Sequence, residues 1–159
     1  MKTNLSIQRA TSDHAEVIAV MVGELLTEIM NAIGDQAFNF DLSETTARLK
    51  DFIDSENYFV FVAWGDDDQA LGFVTLCESY ALYAEGAFGT LPELYVRPAF
   101  RSGKIGHALL SQVRAFGVSR GWKRLEVTTP PLPEFDKTLA FYEREGFAVT
   151  GGRKLKALL

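Results

Sequence analysis

One cysteine, Cys77, stands in 159 residues, which excludes an internal disulfide and any cysteine-based metal cluster. Long hydrophobic runs are missing too: the longest, Tyr58 to Trp64, is far short of the ~20 residues that cross a bilayer. The opening stretch MKTNLSIQRATSDH is polar and has no hydrophobic centre of the kind a signal peptide needs. A cytoplasmic protein with no membrane partner is expected. The phosphate-loop spacing G-x-x-x-x-G-K followed by Ser or Thr is absent, as is the dinucleotide fingerprint G-x-G-x-x-G. Repeats, linkers and low-complexity tracts are absent, so residues 1–159 are expected to form a single domain around one core.

What is present is an ordinary globular composition, 47% apolar and 23% charged, with a net charge of −5. That charge is uneven. Residues 97–124 carry Arg97, Arg101, Lys104, Arg114, Arg120, Lys123 and Arg124 and no acid, so the remaining segments sum to −12. A cation cluster on an acidic protein suits an anionic ligand held at one place. A nucleic-acid surface would be broadly basic and interleaved with aromatics, and neither applies, so no nucleic-acid partner is expected.

Taken in order, Leu5 to Arg9 alternates apolar and polar residues and predicts a first strand. Thr11 or Ser12 caps a helix from about Asp13, on which Val17, Val20, Met21 and Leu25 recur at helical spacing toward Met30. His14, near its start, reads as a surface histidine. Residues 31–42 read as a loop or a broken helix bearing Phe38 and Phe40. Ser43 then caps a second helix with Leu49, Phe52 and Ile53 inward. Tyr58 to Trp64 is β-branched and aromatic, a buried strand, and Ala70 to Glu78 returns as its hairpin partner. Between them Asp66, Asp67 and Asp68 lack the alternation and terminal glutamate of a calcium loop, so no metal is expected. Cys77 packs in or beside the sheet, with no basic sequence neighbour to activate it. Residues 79–87 read as a loop or irregular strand end, and Phe88 to Val96 as the next strand.

The most informative stretch follows. Leu94, Tyr95 and Val96 close that strand, and Pro98 ends it by removing a ladder donor. Arg101 to Gly106 form a polar, glycine-bearing turn, after which Ile105, Leu109, Leu110, Val113 and Phe116 recur at helical spacing. A strand, such a turn and a helix start together form a phosphate cradle. The first N–H groups of a helix have no partner within it, the dipole favours an anion there, and glycine admits an oxygen close to backbone. An ordinary strand–turn–helix unit with a solvated face is the competing reading. Trp122 to Thr128 is the next strand, and TTPPLPE a stiff connection. A helix resumes at Phe135 or Asp136 and stops near Gly146, and Phe147 to Leu158 alternates about Gly151-Gly152 as a hairpin would.

The order β-α-α-β-β-β-α-β-α-β-β predicts an α/β (α+β) fold. Its mixed, mostly antiparallel sheet has about six or seven strands, flanked by about four helices, with one βαβ crossover around the 104–120 helix.

The run LYVRPAFRSGKIGHALL (residues 94–110) resembles the acyl-CoA-binding segment of the GNAT superfamily of N-acyltransferases, whose turn follows R/Q-x-x-G-x-G/A. Arg101 and Gly106 fit; Lys104 stands where the first glycine usually is, with Gly103 one place early. A second block, LAFYEREGF (Leu139 to Phe147), is similar to the family's later helix with its tyrosine. The resemblance implies acetyl-CoA as co-substrate and a GNAT-like sheet. It implies that the pantetheine arm lies along Leu94, Tyr95 and Val96, and that the pyrophosphate sits on Arg101, Ser102, Gly103, Lys104, Ile105, Gly106 and His107. It also implies that Tyr142 protonates the leaving sulfur, against the alternative of core packing with its hydroxyl at the rim. Phe135 departs from the asparagine often found there, and with Lys104 it keeps open a non-catalytic acyl-CoA-binding module.

Acyl transfer to an amine needs a group to take the amine's proton, because an alkylammonium is unreactive at neutral pH. Glu93 is the carboxylate nearest the acyl-bearing strand and the first candidate; Glu78 and Tyr80 compete, and a plain surface ion pair is the alternative for each glutamate. Residues 1–90 hold 15 acids and 4 basic residues, which favours a cationic amine acceptor, on a small molecule or a protein, over simple solubility. A homodimer is left open.

Overall fold

The computed structural model describes residues 4–159, which divide after Thr128 into two compact units. None of the described helices is long and apolar enough to cross a membrane.

The first unit opens with strand β1 (Ser6–Arg9), a 3-10 turn (Ser12–His14) and helix α1 (Ala15–Ile33). Thr11 is the cap. Its hydroxyl accepts from the Asp13 N–H at 3.3 Å while its own N–H donates to His14 Nδ1 at 3.1 Å. The His14 ring is therefore occupied in the cap, and it packs on Trp64 with centroids 5.6 Å apart. The cap of helix α2 (Leu42–Asp54) is Asp41, two residues before the expected Ser43, and its carboxylate accepts from the Glu44 N–H at 2.8 Å. Strands β2 (Tyr58–Trp64), β3 (Ala70–Ala81), β4 (Gly86–Leu91) and β5 (Leu94–Val96), helix α3 (Ile105–Ser119) and strand β6 (Leu125–Val127) complete it.

These strands form one six-stranded sheet in the order β1-β2-β3-β4-β6, with β5 paired to β3. The pairings are antiparallel except β4 with β6, which are parallel and joined through α3 as the expected crossover. Side chains alternate across each strand. Val60, Val62, Phe73 and Tyr95 point to one face, where they pack with Ala15, Ile18 and Met21 of α1 and Leu49 of α2. Phe59 and Phe61 point to the other and meet Phe116 of α3 at 4.8 and 5.5 Å between ring centroids. Strand β2 is apolar on both sides because helices cover both faces.

Two expectations change in detail here. The strand predicted over 88–96 is two strands, broken at Pro92 and Glu93. The loop predicted over 79–87 is shorter, because β3 runs on to Ala81 and turns back at residues 82–85.

The second unit holds α4 (Asp136–Arg144), which ends at Gly146 with a left-handed φ of +94°. Tyr142 packs its ring against Phe141 and Phe147, each 5.4 Å away between centroids. The hairpin predicted from Phe147 to Leu158 does not form: residues 147–159 contain no strand. Gly151 does take the positive φ that such a turn wants, at +82°. What is missing is cover. A two-stranded hairpin alone is marginal in water, and Val149, Leu155 and Leu158 lie exposed.

Candidate functional site

Strand β3 is long enough, at 12 residues, to carry two partners end to end on the same edge. Its C-terminal part, Cys77–Ala81, pairs with β4, and Gly72–Val74 pairs with β5. Strand β6 follows β4 only, through Gly89, Thr90 and Leu91. Past Leu91 the ladder to β6 has stopped, and among the described residues β5 has a strand neighbour on one side alone.

Hydrogen-bond parity shows what faces the open side. The Thr75 N–H donates to the Glu93 carbonyl, and the Arg97 N–H to the Leu71 carbonyl, each at 2.9 Å. Glu93, Tyr95 and Arg97 thus turn their backbone to β3, and Leu94 and Val96 turn theirs to the free edge. The Val96 carbonyl is taken by Arg101 Nε at 2.8 Å. The Leu94 N–H and carbonyl and the Val96 N–H remain as an edge onto which an extended amide-bearing chain can add. Gly72 lets β5 come this close: a Cβ there would lie 2.5 Å from the Tyr95 carbonyl oxygen.

After β5 the chain makes a short 3-10 turn (Pro98–Phe100) and reaches Lys104, whose φ of +61° and ψ of 23° are left-handed. Lys104 therefore takes the conformation for which glycine is the usual residue, and Gly103 beside it does not. Helix α3 begins at Ile105 with no side-chain cap. The N–H groups of Ile105 and Gly106 precede the bond from the Ala108 N–H to the Lys104 carbonyl at 3.0 Å, so they open outward from the helix end. Ser102, Gly103 and Ile105 also border a small cleft of about 220 Å³ with Leu5, Leu71 and Phe100. His107 follows in the same first turn.

The arginines here also have partners within the protein. Arg101, expected to grip pyrophosphate, donates from Nη2 to Glu28 of α1 at 2.7 Å and lies over the Tyr95 ring at 5.7 Å. Arg97 forks onto Glu24 with two bonds of 3.0 Å and donates to the Ala70 carbonyl at 2.9 Å. Tyr95 gives its backbone to β3 and its ring to the core, and its hydroxyl donates to Glu24 at 3.2 Å. The backbone and the helix end, more than these guanidinium groups, are what the turn presents to an anion.

Glu93 sits in the break between β4 and β5. Its Oε2 accepts from the Tyr58 and Thr75 hydroxyls, and its N–H donates to Thr75 Oγ1 at 2.9 Å. Burial pushes the Tyr58 phenol up from its ordinary range, and the Glu93 charge adds to it. The Cys77 thiol is raised in the same order, by burial and then by Glu93. Glu78 has another role. Its carboxylate accepts from Trp122 Nε1 at 2.6 Å, from the Tyr80 hydroxyl at 2.7 Å and from Arg120 at 3.2 and 3.3 Å. Those bonds, the tryptophan's first, hold it at about 2, far too weak a base for an ammonium at neutral pH. Tyr58 and Thr75 escape sequence reasoning because nothing in their spacing marks them. The one available signal was a threonine at an inward position of an otherwise apolar strand.

An open groove of about 680 Å³ runs along α1, walled by Val20, Thr27, Asn31 and Leu42 and by Phe40, whose ring lies over Gly23. Phe40 therefore both packs and lines a surface, and Phe38 is exposed. Glu24 and Glu28 lie in this wall with arginine partners, so much of the local negative charge is neutralised. In the second unit Tyr142 is buried, and burial raises its phenol. Phe135, at the start of α4, makes no capping bond through its side chain.

Comparison with known proteins places this geometry in context. A curated relative from Azospirillum brasilense, an IAA acetyltransferase, is 30% identical over 80 residues, which are 50% of this chain and 51% of that protein. The match therefore spans about half of that relative. An aminoglycoside N-acetyltransferase solved in complex with CoA superposes with a TM-score of 0.80 at 17% identity, covering 99% of this chain and 97% of the other. An aminoglycoside acetyltransferase from an uncultured soil metagenomic sample, solved with sisomicin, gives 0.77 at 17% identity, covering 98% and 96%. At such identities these structures establish the fold alone. The family model for the acetyltransferase (GNAT) domain matches residues 56–149. That match takes in more than half of the sequence, and the chain belongs to the GNAT acetyltransferase family.

Proposed function

We propose that this protein is an N-acetyltransferase, one domain over 1–159, that moves an acetyl group from acetyl-CoA to a primary amine by direct attack in a ternary complex. The observation that carries this reading is the one-sided pairing of β5. Its free edge offers Leu94 and Val96 donors and an acceptor to the amides of a pantetheine arm. The pyrophosphate then falls on the turn from Arg101 to His107, at the start of α3. Lys104 supports that placement, because its backbone already has the glycine-type conformation.

In this reading an edge N–H of β5 donates to the thioester oxygen as negative charge develops there; one such donor lowers other barriers by about 3–4 kcal/mol. The amine nitrogen bonds to the carbonyl carbon as the carbon–sulfur bond breaks. Glu93 takes the nitrogen's proton, and Tyr142 gives one to the departing thiolate. Burial keeps the Tyr142 phenol protonated across the working pH range, so that a proton is there to give.

The acceptor is read as an amine whose body rests in the α1 groove. The arginine partners of Glu24 and Glu28 make a single charged amino group a better fit than a polycation. Calorimetry with acetyl-CoA, followed by thiol release over an amine panel, tests the whole reading. Micromolar binding with turnover of at least one amine is expected; binding without turnover over a broad panel would assign the chain as a non-catalytic acyl-CoA-binding module. Tyr142→Phe should lower turnover about tenfold or more while leaving acetyl-CoA affinity nearly unchanged. Unchanged turnover would remove its assigned role.

A further inference from the structure

Thr75 is almost wholly buried, in a strand stretch whose neighbours Phe73, Val74 and Leu76 are apolar and fully buried. A hydroxyl at such a place costs stability unless it is bonded, and here its bonds converge on Glu93, with the Tyr58 hydroxyl also in reach. Thr75 Oγ1 accepts the Glu93 N–H at 2.9 Å and donates to Glu93 Oε2, and the Thr75 N–H donates to the Glu93 carbonyl at 2.9 Å. Backbone and carboxylate of Glu93 are thus clamped by a single side chain and its peptide.

A second hydroxyl reaches the same oxygen. Tyr58, on β2, donates to Glu93 Oε2, and its ring is held at 5.2 Å from that of Phe52 at the end of α2. No hydrogen bond among the described residues engages Oε1. The chain's other paired glutamates on this unit have cations: Glu24 holds Arg97, Glu28 holds Arg101, Glu78 holds Arg120, Glu85 holds Lys123 and Glu126 holds Arg124. Glu93 is fixed by neutral donors instead. An arginine would stabilise the anion strongly and weaken it as a base, whereas hydroxyls orient it at smaller cost to basicity.

We propose that Tyr58 and Thr75 are positioning residues that hold Oε2 of Glu93, leaving Oε1 aimed to take the proton from the incoming amine. This rests on the N-acetyltransferase reading above. Glu93 immediately precedes Leu94, whose N–H is the first donor on the free edge of β5, so the base and the acyl-binding edge are adjacent along the chain. In the step itself the nitrogen–carbon bond forms, the carbon–sulfur bond breaks, the nitrogen's proton passes to Oε1, and the sulfur leaves as a thiolate that is then protonated. Cys77 is the other titratable group facing this carboxylate, and its thiol senses the Glu93 charge.

The experiment uses the full chain with Glu93→Gln, Tyr58→Phe, Thr75→Val and Thr75→Ser, acetyl-CoA and the best amine of the panel. Glu93→Gln should lower kcat about a hundredfold, and Tyr58→Phe or Thr75→Val about tenfold, each with acetyl-CoA affinity within about twofold. In Tyr58→Phe the acid limb of the kcat/KM profile should move to higher pH, and Thr75→Ser should recover most of the loss seen in Thr75→Val. Added to Glu93→Gln, Tyr58→Phe should cause no further loss, because both act through one carboxylate. Full additivity or an unmoved acid limb overturns the proposal.

Alkylation of Cys77 by iodoacetamide reads the same contact with no cofactor present. Glu93→Gln should speed it, and Tyr58→Phe should change the rate in the parent chain and not in the Glu93→Gln chain. A Tyr58→Phe rate equal to the parent's overturns the positioning whatever the enzyme does. Expected alkylation rates combined with no amine turnover by the parent chain overturn the transferase reading, and the base role with it.

Discussion

Lys104 carries a left-handed backbone that an L-residue adopts at a cost of about 1–2 kcal/mol, relieved only where a Cβ is absent. Replacing it with glycine removes that strain but adds about 0.5–1 kcal/mol of chain freedom to the unfolded state. Lys104→Gly should therefore stabilise the protein by roughly 0.5 kcal/mol, read as a higher urea midpoint with an unchanged slope. A lower midpoint would show that the Lys104 side chain holds the turn in some other way. Glu78 is the second residue whose environment makes a sharp expectation. Its carboxyl is held at about 2 against an ordinary 4.5, so the folded state binds its proton less readily than the unfolded state. Its contribution is fully present above about pH 4.5 and is lost as pH falls toward 2. Glu78→Gln should flatten the pH dependence of stability in that window and cost about 1 kcal/mol at neutral pH, after allowance for solvent around Arg120. Equal pH slopes in the two chains would reject this account. Lys104 could be singled out from the sequence because a motif fixes the glycine's place. Glu78 could not be resolved, because its three donors come from β3, the end of α3 and the loop before β6, which sequence order keeps apart.

The split of one expected strand into β4 and β5 is the element on which the site depends. Apolar periodicity predicts a strand over 88–96 and cannot see the break, since Pro92 and Glu93 interrupt the ladder without interrupting the pattern. The same periodicity locates β2, α1 and α3 well, because their apolar faces are long and the helices that cover them are strongly amphipathic. It fails over residues 147–158, where alternation and a glycine pair are present and no neighbouring strand is supplied. The break matters because β5 must sit close to β3 and yet stand free of β6. Gly72 is where this closeness is sensitive. A methyl group there would lie 2.5 Å from the Tyr95 carbonyl oxygen and 3.1 Å from Val96 Cα, so β5 would have to move outward. Gly72→Ala should cost about 1–3 kcal/mol of stability, as overpacking does. It should also weaken acetyl-CoA binding several-fold by shifting the Leu94 and Val96 edge. Stability loss without any change in affinity would mean that the edge of β5 is not what the pantetheine arm touches.

At the scale of the whole molecule, an acidic chain of net charge −5 is read as the host of an anionic co-substrate, and the sign conflict is resolved locally. The seven cations of residues 97–124 answer part of it, but Arg97, Arg101, Arg120, Lys123 and Arg124 are already bonded to glutamates. Main-chain N–H groups are left to do most of the holding, with a helix end behind them. A grip of that kind exists only in the folded state, so the ligand should stabilise the fold by mass action. At a hundredfold excess over its dissociation constant acetyl-CoA should add about 2.7 kcal/mol. For a protein of this size that is a rise in melting temperature of roughly 5–10 °C. Adenosine, which has neither pyrophosphate nor pantetheine, should give a much smaller rise at equal concentration. Added salt should reduce the acetyl-CoA shift only modestly, since main-chain amides would hold the ligand at contact distance, well inside a Debye length. A shift that collapses with salt would return the grip to the surface cations, and equal shifts from adenosine and acetyl-CoA would place it outside the turn and the edge of β5 altogether.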